Sequence, residues 1–177
     1  FSQMEKSFQE ASNGILPEIF PCEIYCHTLT DPSILSEDLQ KKGFQTITVF
    51  GIDMAYQLFE ADNEAVKKKV VAKFLNGINE FLAEPIENCI AKDKKGNLCI
   101  EAKSAVDLEN ELGMNRGNIF HNALSWFFAE NESEIGTWGV ETEIERVLIC
   151  GSAAKRGGAV SGITGRNAAM KVLERKL

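Results

Sequence analysis

Nowhere in this sequence do about 18 apolar residues run together, so no helix is expected to span a membrane. A signal-peptide pattern is missing too. The five cysteines are an odd, scattered set, which fits reduced thiols in an intracellular, cytoplasmic protein rather than a disulfide framework. Cys22, Cys26 and His27 fall close together, but no second pair completes a zinc ligand set, so no metal is expected. Basic charge is also in short supply: 19 Lys and Arg face 26 Asp and Glu, for a net charge of −7. That leaves no dominant positive field for nucleic acid or an anionic membrane. The basic clusters at Lys67-Lys68-Lys69 and Lys92 to Lys95 are flanked by acids and read as a solvated helix face and a turn. Neither G-x-x-x-x-G-K-[ST] nor G-x-G-x-x-G occurs, and no Ser/His/Asp order or conspicuous carboxylate pair points to hydrolysis.

What is present is concentrated near the end of the chain. Arg146 to Cys150 reads as a short buried strand, with Cys150 a small core residue. It runs into the glycine-rich stretch Gly151 to Gly162, and then a helix from about Ile163 to Glu174. Strand, glycine-rich loop and helix bring backbone close to a phosphate-bearing or electron-rich ligand. Glycine permits close approach, and the free N–H groups of a helix start favour negative charge.

The rest of the chain reads as α+β. At 177 residues and 44% hydrophobic composition it can bury one good core or two small ones. Cys22 to Leu29 alternates like a half-buried strand ending at the Asp31-Pro32 turn, and Phe44 to Ile52 is rich in β-branched and aromatic residues. These two strands are expected to be antiparallel neighbours. Asp62 or Asn63 caps a helix to about Ala83, with Val66, Val70, Phe74, Ile78 and Leu82 at helical spacing as core. Ile86 to Ile90 and Leu98 to Ala102 look like strands around a polar hairpin turn. Ser104 to Asp107 opens a short helix by a capping box, and Gly113 closes it. Residues 114–129 mix Asn and Gly with Ile119, Phe120, Trp126, Phe127 and Phe128. That composition suits a pocket lining or an interdomain seam, and core packing serves the three aromatics as well. His121 is read as held by neighbouring asparagines in a turn, with a pocket role as the other reading, and His27 as structural.

Several of these motifs resemble one family. Gly117-Asn118-Ile119-Phe120-His121, Leu124-Ser125-Trp126, Trp138-Gly139-Val140, and above all Cys150-Gly151-Ser152 with Arg156-Gly157-Gly158-Ala159-Val160-Ser161-Gly162-Ile163 and Gly165-Arg166-Asn167-Ala168-Ala169 are similar to the carboxy-terminal part of FAD-dependent oxidoreductases of the phytoene desaturase-like group, relatives of the flavin amine oxidases. Asp31-Pro32-Ser33 and Asp107-Leu108-Glu109 fall where that family has similar motifs, and the resemblance covers roughly residues 24–177.

The resemblance implies a mixed, mainly antiparallel substrate-domain sheet with packed helices, spanning 1–113. Residues 114–177 would then hold a pocket-lining segment and the terminal strand–loop–helix of a Rossmann-like FAD domain. In the family an amino-terminal G-x-G-x-x-G unit grips the adenosine and pyrophosphate, and the carboxy-terminal loop closes over the flavin. By that analogy Gly151, Ser152, Arg156, Gly157, Gly158, Val160, Ser161, Gly162 and Ile163 would contact FAD, with Arg156 a candidate for a phosphate. The backbone N–H groups around Val160 to Ile163 would face the pyrimidine side, where the helix dipole favours the charge of reduced flavin. The implied reaction is hydride transfer from an apolar or amine-like substrate to flavin, with no catalytic side chain required. Two features depart from the pattern: Ala159 stands where the family often has a third glycine, and the hairpin around Gly96 is longer. The amino-terminal fingerprint is also missing. This chain, beginning at Phe1 rather than methionine, is therefore expected to be processed or part of something longer, and inactive alone. Two other readings stay open. One is a non-catalytic binding module that kept the scaffold, and the other a truncated portion whose exposed apolar surface would favour a homodimer.

Overall fold

The computed structural model of this chain describes residues 1–121, 129–155 and 161–174. Among them are five α-helices and one two-stranded antiparallel sheet, an α+β arrangement as expected. The chain divides into two compact units, Phe1–Asp107 and Leu108–Leu177.

In the first unit, α1 (Ser2–Ser12) buries Ser7 and Ala11. Strand β1 (Cys22–Tyr25) pairs with β2 (Thr48–Gly51), Cys22 opposite Gly51 and Tyr25 opposite Thr48. Both strands are about half as long as the sequence pattern predicts, and β1 is mostly exposed rather than half-buried. The reason lies in Thr28, which is buried. Its hydroxyl accepts from the Thr46 N–H at 2.8 Å and donates to Gln45 Oε1 at 2.7 Å. A side chain thus takes the place of the ladder, and His27–Leu29 coils into a 3₁₀ turn. A short helix, α2 (Glu37–Lys41), lies between the strands in sequence.

Helix α3 (Asn63–Asn79) starts where Asp62 accepts the Ala65 N–H at 3.0 Å. Its stripe packs Val66, Val70 and Phe74 with Ala11, Leu58, Phe59 and Phe20. Gly51 lies so near that an added Cβ would meet Phe74 Cζ at 3.0 Å and Met54 Cγ at 3.1 Å. Leu82, predicted to continue the stripe, lies past the helix end beside Phe81, and both are exposed.

The two strands expected around the polar hairpin do not form. Ile86–Asn88 is a 3₁₀ turn after Pro85, held by Asn79 Oδ1 accepting the Ile86 N–H at 2.7 Å. Only Lys92 and Leu98 bridge across, while the Asp93 carboxylate accepts the N–H groups of Lys95 and Asn97 within the turn. Helix α4 (Ala105–Leu112) begins with the reciprocal bonds of a capping box, Ser104 N–H to Asp107 Oδ2 at 2.8 Å and Asp107 N–H to Ser104 Oγ at 3.2 Å. It ends at Gly113, whose φ is +68°. The boundary between the units falls inside it.

The second unit is organised on Val140, Ala154 and Ala168, with Trp138 and Leu148 against them. Helix α5 (Ile163–Glu174) matches its predicted span. Arg146 to Cys150 is not a buried strand. One bridge, Glu141 to Leu148, and the bond from Ile149 N–H to Val140 O at 2.8 Å are its ladder, and Val147, Ile149 and Cys150 are exposed. Arg146 has φ of +65°, which breaks extended backbone, and the Thr142 hydroxyl lies 2.9 Å from the Val147 carbonyl that a longer ladder would use.

Candidate cofactor-binding site

The glycine-rich loop is held closed at its base. Thr164, in the first turn of α5, donates its hydroxyl to the Cys150 carbonyl at 3.1 Å, and the Gly165 Cα is near enough that an added Cβ would lie 3.7 Å from that same oxygen. The two ends of the loop, Gly151-Ser152 and Ser161-Gly162-Ile163, are therefore brought together. Gly162 enters the helix with φ of +72°, a conformation that favours glycine, and its carbonyl accepts the Arg166 N–H at 3.1 Å. Ser161 Oγ accepts the Ile163 N–H at 3.3 Å. Gly151 turns into Ala154 by a 3.1 Å bond, and a Cβ added to it would meet nothing within 4 Å. Nothing in the described packing accounts for glycine at that position. Arg156, Gly157, Gly158 and Val160 lie outside the described residues, as do Trp126, Phe127 and Phe128.

Three polar fasteners hold the elements that carry the loop. Lys155 Nζ pairs with Glu134 at 2.8 Å, so the lysine just inside the loop is turned to a buried carboxylate. Asn167 donates to the Trp138 carbonyl at 3.1 Å. Lys171 Nζ pairs with Glu141 at 3.1 Å, and the same carboxylate accepts the Val140 N–H at 3.1 Å. Burial pushes the Glu141 carboxyl up, but its backbone donors and Lys171 outweigh this and hold it at about 2. Arg166 also lies over the Trp138 ring, 6.0 Å from its centre.

No family model matches this chain, and no solved structure does. Among curated proteins it is 49% identical, over 98% of its own length, to an uncharacterized protein of Mycobacterium tuberculosis (strain ATCC 25618 / H37Rv) and to one of Mycobacterium bovis. It is 28% identical, over 94% of its length, to pyridine nucleotide-disulfide oxidoreductase domain-containing protein 2 of Rattus norvegicus. The chain spans about a third of the length of these relatives, 33% of the mycobacterial proteins and 27% of the rat one. The likeness to an oxidoreductase domain-containing protein is thus distant.

The other motif residues act as turn and cap formers. Asp31 Oδ1 accepts the Ser33 N–H at 2.9 Å, which holds its carboxyl below the ordinary range. Asp107 is more enclosed: besides the Ser104 N–H it receives Lys67 Nζ at 2.9 Å and Asn63 Nδ2 at 2.7 Å. Burial raises this carboxyl, and those three partners bring it down to about 2. His121 sits at φ of +63° and donates its backbone N–H to Asn118 O at 2.9 Å, in the turn its neighbouring asparagine builds. His27 stacks on Tyr25, ring centres 5.7 Å apart. Thr164, Glu134, Glu141 and Lys171 were not anticipated. Thr164 is an ordinary helix-start residue, and each ion pair links positions too far apart in sequence for any local periodicity to reveal.

Proposed function

We propose that residues 114–177 supply the flavin-side cradle of a FAD-dependent oxidoreductase of dehydrogenase or desaturase type, and residues 1–113 part of its substrate domain. The observation that carries this reading is the Thr164–Cys150 bond. It sets a side-chain-free Gly151 beside a helix start entered through a positive-φ Gly162, and such a base leaves room for a flat, electron-rich ring near backbone donors. The residues present fit the group: small where the chain enters the loop, glycine at the helix entry, and no described side chain packed against Gly151. FAD, when bound, accepts a hydride from an apolar or amine-like substrate. The chain's own part is to seat the ring and to aim helix-start N–H groups where negative charge develops. The distant likeness to oxidoreductase domain-containing proteins of rat and mouse agrees with this class of activity.

FAD titration of the intact protein, followed by flavin fluorescence, tests the reading. Gly151→Val is the informative variant, because no described atom lies within 4 Å of the Cβ it adds. It should retain its melting temperature and weaken FAD at least about tenfold, equivalent to about 1.4 kcal/mol. Unchanged FAD affinity in that variant would count against the cradle.

A further inference from the structure

The segment Trp138 to Glu141 touches both elements that flank the loop. On one side Val140 O accepts the Ile149 N–H at 2.8 Å, which ties it to the chain entering the loop. On the other, Glu141 pairs with Lys171 and Trp138 O accepts from Asn167, which ties it to α5 leaving the loop. Val140 is 1% exposed and fills the space between, against Ala154 and Ala168. Two of the three buried members are alanines, with Trp138 and Leu148 partly buried against them, and such a non-directional contact holds α5 close without fixing its rotation. Orientation of α5 about its axis must therefore come from directional bonds. Thr164 and Asn167 supply one neutral bond each, and the Glu141–Lys171 pair adds a charge-assisted one. Glu141 takes an ammonium from the third turn of the helix and also the Val140 N–H of its own segment, so the carboxylate is fixed before the lysine meets it.

We propose that Glu141 is a positioning residue for the cradle, setting through Lys171 the direction in which the α5 start faces the cofactor; this rests on the FAD reading above. It touches no cofactor itself. It acts on Ser161, Gly162 and Ile163 by fixing the helix to which they lead. The pair of Lys155 with the buried Glu134 is a separate fastener and does not substitute for it, because neither residue lies on α5.

Two readouts on the intact protein separate this inference from the reading beneath it. Hydrogen exchange without FAD should show faster exchange of the Arg166 to Met170 amides in Glu141→Gln and in Lys171→Met, with exchange in residues 63–79 unchanged. FAD affinity should fall about tenfold in both variants. Lys171→Arg, which keeps a cation for the carboxylate, should show neither effect, which separates the ion pair from mere packing of the Lys171 stem. Unaltered exchange across α5 in Glu141→Gln overturns the positioning role whatever FAD does. If α5 loosens but neither wild type nor variant binds FAD, Glu141 positions the helix and the cofactor reading is wrong, which overturns the proposal as stated.

Discussion

Gly151 and Asp107 show how single residues carry opposite kinds of information. Among the described residues nothing lies within 4 Å of where a Gly151 side chain would start, so described packing does not explain that glycine. Asp107 is explained by packing entirely. Its carboxylate holds the Ser104 N–H, Lys67 and Asn63 together, with only 14% of its side chain exposed. Asp107→Ala should lower unfolding free energy by about 1–2 kcal/mol, since it leaves the capping Ser104 N–H without its acceptor and Lys67 with Glu64 alone. A urea midpoint measures it. The pH dependence follows from the same geometry. Folding holds Asp107 at about 2 against 3.8, and Glu141 at about 2 against 4.5, so both favour the ionised form. Their stabilisation is complete above about pH 4.5 and is lost as pH falls towards 2. For Asp107 it is on the order of 2 kcal/mol. Asp107→Asn should therefore flatten the acid limb of the stability profile, and an unchanged limb would refute this account of the group.

Among the elements, α3, α4, α5 and the antiparallel pairing of β1 with β2 were legible, whereas α1, α2 and the failure of the later strands were not. Asp62, Ser104 and Gly113 mark helix ends by bonds or dihedrals within a few residues, so the sequence displays them directly. At 86–90 and 146–150 side chains of Asn79 and Thr142 bond backbone groups that a ladder would use, and 98–102 keeps a single bridge, Leu98 to Lys92. No hydrophobic pattern records that competition. The loop–helix end of the candidate site was visible as glycine spacing. The Thr164–Cys150 bond that closes it depends on a fold-level approach and was not. Thr164→Val should destabilise the second unit by about 1 kcal/mol and weaken FAD several-fold, whereas Thr164→Ser should keep both. Thermal melts and titration of the two variants together decide whether the hydroxyl or mere helix packing closes the loop.

For the whole molecule, surface chemistry adds a constraint. Phe1, Met4 and Phe8 line one side of α1 and form an apolar groove with Ile52. Phe8 is 58% exposed although Ser7 and Ala11 of the same helix are buried, so α1 has a second apolar face. Phe8→Gln should reduce binding of an apolar dye to this chain without lowering its melting temperature; a drop in stability would place Phe8 in the core instead. Among the described residues no helix is long and apolar enough to cross a membrane, so that face is not part of a spanning helix. The relatives that match nearly all of this chain are about three times its length, and function is accordingly a question for the intact protein.

On the proposal above, the loop base formed by Gly151, Ser152 and Ser161 to Ile163 seats a flavin. Flavin content of the purified intact protein, after saturation with FAD and removal of the excess, tests it most directly. The account predicts stoichiometric FAD in the wild type and little in Gly151→Val at equal thermal stability. A folded intact protein that takes up no FAD, or a Gly151→Val variant that holds as much as the wild type, would contradict it.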